Sequence, residues 1–167
     1  MAGQRNVGIA VDFSPCSQAA VHWASENLVR GGDRVVLVHA VSCYHIEQGV
    51  INLWERSGSP LIPLNELCTP NVCKQYAVEP DSETLKMLEQ MASQKRVEVV
   101  AKVYYGDAKA KLLEAIERVP LDCLVVGSRG LSKLKRSLNY LNPSRWGTFG
   151  KRKQPCGDQC SVPCHRC

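Results

Sequence analysis

The feature that most constrains this sequence is the alternation of short apolar runs with segments of helical periodicity. Four such runs occupy residues 6–11, 35–41, 97–104 and 121–126. Apolar runs without a strict polar alternation are typical of parallel strands that are covered on both faces. Helices of about ten to fifteen residues between such strands indicate right-handed βαβ crossovers. The pattern therefore predicts an α/β fold, a parallel sheet flanked by helices.

Helix-start signals lie where this alternation requires them. Ser14 and Pro15 suit the N-cap and the first position of a helix after the first strand. Further starts lie at residues 80–83 and after Asp107. Residues 43–79 contain three prolines and no sustained period. We expect a long irregular connection there.

Charge and cysteine are concentrated near the end of the chain. Residues 1–128 contain 12 basic residues (Lys and Arg) and 15 acidic residues (Asp and Glu). Residues 129–167 contain 9 basic residues and one acidic residue. Four of the nine cysteines fall in the last twelve positions. No apolar run approaches the ~20 residues that span a bilayer, and the first residues lack the apolar stretch of a signal peptide. We therefore expect a cytoplasmic protein with free thiols and no membrane partner.

Ligands of parallel α/β sheets bind beyond the carboxyl ends of the strands, where the strand order reverses. Asp12 follows the first strand, and the fourth strand leads into the loop Gly127-Ser128-Arg129-Gly130. Glycines permit close approach of the backbone, a following helix N-terminus attracts an anion, and Arg129 adds a charged donor for phosphate. The loop matches neither a Walker A motif nor the G-x-G-x-x-G fingerprint. A tight turn between strand and helix is an equal alternative.

Several segments resemble the plant universal stress proteins. They are V-D-F-S-P-C-S at 11–17, P-L-I-P-L at 60–64, V-Y-Y-G-D at 103–107 and V-V-G-S-R-G-L-S-K-L-K-R at 125–136. The similarity extends over about residues 5–138. The resemblance implies a Rossmann-like α/β fold with a five-stranded parallel sheet. It also implies a homodimer and the binding of AMP or of ATP with Mg²⁺.

The resemblance also implies the residues of the site. The family's nucleotide signature is G-x-x-G, nine residues, then Gly followed by Ser or Thr, and its first half matches Gly127 and Gly130. The resemblance implies that Asp12 contacts the ribose and that Val41 contacts the adenine. The residues implied to line the ribose and phosphates are Val126, Gly127, Arg129 and Gly130. A carboxylate at a strand end can accept hydrogen bonds from ribose hydroxyls. The alternative role for Asp12 is to cap the turn before the first helix.

The chain departs from the family after residue 138. Where the second half of the signature is expected, this chain has Tyr140 and Leu141. The family's fifth strand is also missing, and a basic, cysteine-rich segment takes its place. We therefore expect a universal stress protein domain at residues 1–138 and a divergent, disordered tail at residues 139–167.

The reading frame explains the composition of the tail. Codons compatible with residues 149–167, read one base later, permit L-G-S-V-S-N-H-V-V-T-N-A-A-C-P-V-T-V, which is the family's ending. Codon degeneracy leaves freedom at each step, but an ordered match of this length is improbable by chance. We infer that the tail is an out-of-frame reading of a universal stress protein gene. Residues 139–148 then come from a retained intron or an alternative splice site.

Two other interpretations of the tail stay open. Potential zinc ligands lie close together in the segment Cys156-x3-Cys160-x3-Cys164-His165-x-Cys167. Their spacing is not that of paired C-x2-C motifs. The basic run at 151–153 could contact RNA phosphates, but short basic runs are more often solvated surface. We expect neither a metal site nor a nucleic-acid partner.

These observations favour an adenine-nucleotide-binding protein of the stress response, with binding weakened by the loss of the second half of the signature. The alternative is a protein-interaction module of the same fold that binds no nucleotide. Loss of the last strand is expected to weaken self-association in either case. The sequence contains no hydrolase or metalloprotease motif and no evident catalytic base, so at most weak ATP hydrolysis is expected.

Overall fold

The computed structural model describes residues 4–42, 54 and 57–127. The strands are β1 (Asn6–Val11), β2 (Arg34–Val41), β3 (Ile62–Pro63), β4 (Glu98–Tyr105) and β5 (Cys123–Val125). The helices are α1 (Pro15–Asn27), α2 (Leu64–Leu67), α3 (Pro70–Tyr76), α4 (Ser82–Lys95) and α5 (Ala108–Arg118). The expectations of a missing final strand and of a separate tail at 139–167 fall outside the described residues.

The sheet has the strand order β3-β4-β2-β1-β5. The four strands predicted from the apolar runs are all parallel, with Val7 of β1 opposite Val35 of β2 on one side and Cys123 of β5 on the other. The predicted α/β fold is therefore confirmed. The sheet is not wholly parallel, because β3 adds two residues antiparallel to β4 at one edge.

Helices cover both faces of the sheet, and each face has its own core. On one face, buried residues of α1 and α4, such as Ala20 and Leu88, pack with Val35 and Leu37 of β2. On the other face, Leu112 of α5 and its neighbours pack against the alternate residues of the same strands. This alternation follows from the two-residue period of a strand, and it explains why the strands are apolar throughout.

Side-chain caps fix where the long helices begin. Ser14 caps α1, with Pro15 at its first position, as the sequence predicts. Asp81 accepts hydrogen bonds from the amides of Glu83 and Thr84 at the start of α4, and Asp107 accepts one from Ala110 at the start of α5. Each cap of this kind stabilises a helix by about 1 kcal/mol.

The prediction of an irregular connection over 43–79 is wrong for its second half, which contains β3, α2 and α3. These elements are too short to show a period, and proline begins α3 as it begins α1. Buried Leu67 and Tyr76 bind the segment to the core beneath α1 and α4. Ser59 makes two hydrogen bonds with the backbone of Val103. The Ser59 amide donates to the Val103 carbonyl at 2.7 Å, and the Val103 amide donates to the Ser59 hydroxyl at 2.9 Å.

The strand order reverses next to β1. From β1 the chain moves in one direction, to β2 and then β4, and it then returns through α5 to place β5 on the opposite side of β1. The connection through α1 and the connection through α5 therefore lie on opposite faces of the sheet. They leave a crevice beyond the carboxyl ends of β1 and β5, where α/β proteins bind ligands.

Candidate functional site

A cavity of about 150 Å³ opens in this crevice. Its walls come from the carboxyl ends of β1, β2 and β5 and from the first turns of α1 and α5. The lining residues are Ala10, Val11, Asp12, Ser14, Cys16, Ser17, Val38, Ala40, Ala108, Leu112, Val126 and Gly127. The cavity thus lies at the switch point of the sheet.

Small aliphatic side chains form most of the wall. Ala10 of β1 and Val38 and Ala40 of β2 lie on the sheet face that α5 covers. Leu112 of α5 and Val126, which follows β5, complete this apolar side. Such a wall suits a planar aromatic group, which gains from the removal of its faces from water.

Asp12 lies at the cavity rim, in the turn between β1 and α1. Its Oδ1 accepts hydrogen bonds from the amide of Ser14 at 3.1 Å and from the Ser14 hydroxyl at 2.5 Å. Burial raises the pKa of the Asp12 carboxyl, but hydrogen bonds from Ser14 and Ser17 outweigh that effect and hold the pKa below its ordinary value. Asp12 is therefore ionised at neutral pH, and it can accept further hydrogen bonds from hydroxyl groups of a ligand.

The first turn of α1 faces the same space. The Ser14 hydroxyl accepts from the amide of Ser17 at 3.4 Å, and the Ser17 hydroxyl donates to the Ser14 carbonyl at 2.9 Å. The partial positive charge of a helix N-terminus favours a negative group at this end of the cavity.

Gly127 brings the chain after β5 close to this turn. A Cβ atom at Gly127 would lie 3.2 Å from the carbonyl oxygen of Cys16 and 3.7 Å from its Sγ. A residue with a Cβ atom at this position would require Cys16 to shift by a few tenths of an ångström. Glycine therefore sets the spacing between the β5 loop and α1.

The lining residues have one negative side chain, Asp12, and no positive one. Their cavity is also smaller than the ~300–1,000 Å³ typical of ligand sites. The described residues can therefore accommodate an uncharged, partly apolar group with hydroxyls near Asp12. For a charged phosphate the described lining offers the N-terminus of α1 but no positively charged side chain.

Comparison with known proteins identifies the family. The family model described as the universal stress protein family matches residues 4–139. The chain belongs to the universal stress protein family. Two plant members are similar to it over 96% of its length: the universal stress proteins PHOS32, at 29% identity, and PHOS34, at 26%, both of Arabidopsis thaliana. The chain spans 63% and 60% of the length of these two relatives.

Solved structures that match this chain include a hypothetical protein, PH0823, at 17% identity and a TM-score of 0.49, over 80% of this chain and 87% of that one. A universal stress protein family member from Burkholderia pseudomallei matches at 13% identity and a TM-score of 0.46, over 83% of this chain and 92% of that one.

In this universal stress protein, Asp12, Val126 and Gly127 come together around the one cavity described above, although they are distant in sequence. Asp12 also has the capping role that the sequence left as its alternative, because it accepts two hydrogen bonds from Ser14. Arg129 and Gly130 lie outside the described residues.

Val41 is placed differently from the other predicted residues. It is the last residue of β2, and its carbonyl accepts a hydrogen bond from the amide of Gly106 at 2.9 Å. Its side chain packs on the core beneath α1 and α4, whereas the preceding Ala40 lines the cavity. A contact between Val41 and adenine stays a prediction from the resemblance.

Sequence reasoning missed the contributions of α5 and of the strand interiors. Ala108 and Leu112 lie one helical turn apart, and Val38 and Ala40 share one strand face. The i, i+4 and i, i+2 spacings were visible in the sequence. Only the packing of α5 on β2 brings these pairs to a common cavity.

Among residues 4–42, 54 and 57–127, no group of three or more His, Cys, Asp or Glu side chains is placed to hold a metal ion. In the same part of the chain, no helix has the length and apolar character needed to cross a membrane.

Proposed function

We propose that this cavity binds the adenosine part of an adenine nucleotide, AMP or ATP. The observation that carries the proposal is the position of Asp12: an ionised carboxylate at the rim of an apolar cavity, at the switch point of the sheet. In this arrangement the carboxylate accepts hydrogen bonds from ribose hydroxyls while the aliphatic wall packs against the base.

The phosphates would extend toward the N-terminus of α1 and the loop that begins at Gly127. The resemblance assigns Arg129 and Gly130 to the same loop, and Arg129 would supply the positive charge that the described lining lacks. With ATP, Mg²⁺ would be expected to accompany the longer phosphate chain.

The departure from the family signature favours AMP over ATP. Tyr140 and Leu141 replace the Gly-Ser or Gly-Thr expected of the signature. Hydrogen bonds to charged groups contribute about 1.5–3 kcal/mol each, so the loss of several phosphate donors turns micromolar ATP binding into roughly millimolar binding. The adenosine contacts are expected to survive, and AMP depends on them more than ATP does.

We propose a corresponding role in the stress response: a cytoplasmic module whose nucleotide occupancy is coupled to a protein partner or to homodimer formation. Any ATP hydrolysis is expected to be weak, because the described residues that line the cavity include no histidine or lysine to act as a base.

Calorimetric titration with AMP tests the proposal. Asp12→Asn keeps the size of the side chain and removes its charge, and we expect it to weaken AMP binding about tenfold or more. The matched control is Asp107→Asn, which removes the same charge from a helix cap at the same edge of the sheet but outside the cavity lining. It should leave AMP affinity unchanged.

Equal affinities for the wild type and the Asp12→Asn variant would place the nucleotide elsewhere. Absence of AMP binding by the wild type would contradict the proposal and favour the interaction module.

A further inference from the structure

The turn that presents Asp12 has an unusual backbone. Phe13 has a φ of 57°, in the left-handed region that bulky residues rarely adopt. A residue of this kind keeps such a conformation only where its surroundings hold it there. The hydrogen bonds between Asp12 and Ser14 lie within the turn and move with it, so they do not fix its position relative to the sheet.

His39 supplies contacts to the turn from the neighbouring strand. It lies opposite Val11 in the pairing of β1 with β2, and its Nδ1 is 2.8 Å from the Val11 carbonyl oxygen. Because a carbonyl only accepts, the proton of the imidazole must be on Nδ1. The His39 ring also packs against the ring of Phe13, with centroids 4.9 Å apart and planes tilted by 52°. His39 thus contacts the residues on both sides of Asp12.

We propose that His39 is a positioning residue for the cavity: it ties the turn between β1 and α1 to β2 and so sets where Asp12 and Ser14 stand. The inference about ligand affinity rests on the proposed function, whereas the inference about the turn does not.

The role is geometric rather than electrostatic. Burial lowers the pKa of His39 below its ordinary value, more than the hydrogen bond to Val11 and the nearby Asp12 carboxylate raise it, so the ring is neutral at neutral pH. A neutral ring with one donor and one aromatic face makes two contacts that substitutions can separate.

Three substitutions separate the contacts. His39→Asn keeps a side-chain amide donor near the position of Nδ1 but loses the ring. His39→Phe keeps a ring against Phe13 but loses the donor, and His39→Leu loses both. The control is His22→Asn, because His22 is exposed on α1. The first readout is the amide NMR spectrum of Asp12 and Ser14 without nucleotide, and the second is AMP affinity.

We expect His39→Leu to shift the amide resonances of Asp12 and Ser14 and to weaken AMP binding about tenfold, the value of roughly one hydrogen bond together with one aromatic contact. His39→Asn and His39→Phe should each restore part of both properties, and His22→Asn should change neither. If His39→Leu does not fold, the comparison of the other two variants with the wild type gives the same test.

A fall in thermal stability with unchanged Asp12 and Ser14 resonances would overturn the inference, because it would leave His39 a merely structural role. If the wild type binds no AMP, the proposed function fails. The nucleotide-free spectra then still decide whether His39 positions the turn.

Discussion

At the scale of single residues, the Arg5–Asp33 ion pair joins the start of β1 to the turn before β2. The Arg5 Nε donates to Asp33 Oδ1 at 3.1 Å, and its Nη2 bonds both Asp33 Oδ2 and the Leu28 carbonyl. The Asp33 side chain is only 8% exposed. A carboxylate with so little access to water depends on these donors.

We expect Arg5→Met to lower the free energy of unfolding by about 2 kcal/mol at pH 7, because it removes the charged donors of a buried carboxylate. Urea denaturation measures this loss. The control is Arg34→Met, whose partner Glu98 is 49% exposed, and exposed pairs contribute about 0–1 kcal/mol.

The same pair predicts a dependence on pH. Burial raises the pKa of Asp33, but hydrogen bonds from Arg5 and from the Arg30 amide outweigh burial and lower it. A carboxyl whose pKa is lower in the folded state than in the unfolded state stabilises the fold at pH values above its unfolded pKa, which is about 3.9 for Asp. This stabilisation is lost as the pH falls through the folded-state pKa. The deficit of Arg5→Met should therefore shrink below about pH 4. A constant deficit from pH 7 to pH 3 would contradict this assignment.

The sequence predicts the residues of the site that follow directly from strand ends. Asp12 and Gly127 come immediately after apolar runs, and the carboxyl ends of parallel strands meet at one edge. Ala108 and Leu112 could not be found in this way, because their place depends on the path of α5 over the sheet. The position of Val41 also depends on strand pairing, which decides the face of the sheet on which its side chain lies. A shift of the pairing by one residue would move that side chain to the other face.

At the scale of secondary-structure elements, Gly8 allows β1 and β5 to pack closely. A Cβ atom at Gly8 would lie 2.8 Å from Leu121 Cδ1, 2.9 Å from Leu124 Cδ1 and 3.2 Å from the Cys123 carbonyl oxygen. Gly8→Ala gains about 0.5–1 kcal/mol from the loss of glycine's flexibility, but overpacking typically costs about 1–3 kcal/mol. We expect a net loss of about 1–2 kcal/mol in urea denaturation.

Gly32→Asn is the control for this substitution. Gly32 has a φ of 85° and no atom within 4 Å of an added Cβ, and asparagine tolerates the left-handed region. It should cost less than Gly8→Ala. A stabilised Gly8→Ala variant would show that the Leu121 and Leu124 side chains and the Cys123 carbonyl accommodate the added Cβ atom at little cost.

Elements with an explicit start signal and several buried residues were predicted well. The helices α1, α4 and α5 begin next to Ser14, Asp81 and Asp107, as cap chemistry requires. The two-residue β3 and the four-residue α2 were not predicted, because so few residues show no period. Their conformation depends on contacts with β4 and the core, which are distant in sequence.

At the scale of the whole molecule, the sequence beyond residue 138 is expected to limit stability and self-association. The resemblance to the family implies that a chain whose residues 149–167 carry the family's ending, read one base later, would place a strand beside the sheet edge at β5. We expect this variant to have a higher urea midpoint than the present chain and to form dimers at lower concentration. Equal midpoints and equal sedimentation behaviour would contradict the prediction.

The central claim is that an adenine nucleotide binds in the crevice between α1 and α5, and NMR mapping of an AMP titration tests it most directly. We expect the largest amide shifts at cavity residues, including Ser14, Ala40, Ala108 and Gly127. Little change is expected at Leu67 and Tyr76, which lie in the core on the opposite face. Shifts centred on that opposite face would contradict the claim. The absence of saturable shifts at an AMP concentration about tenfold above a millimolar Kd would also contradict it.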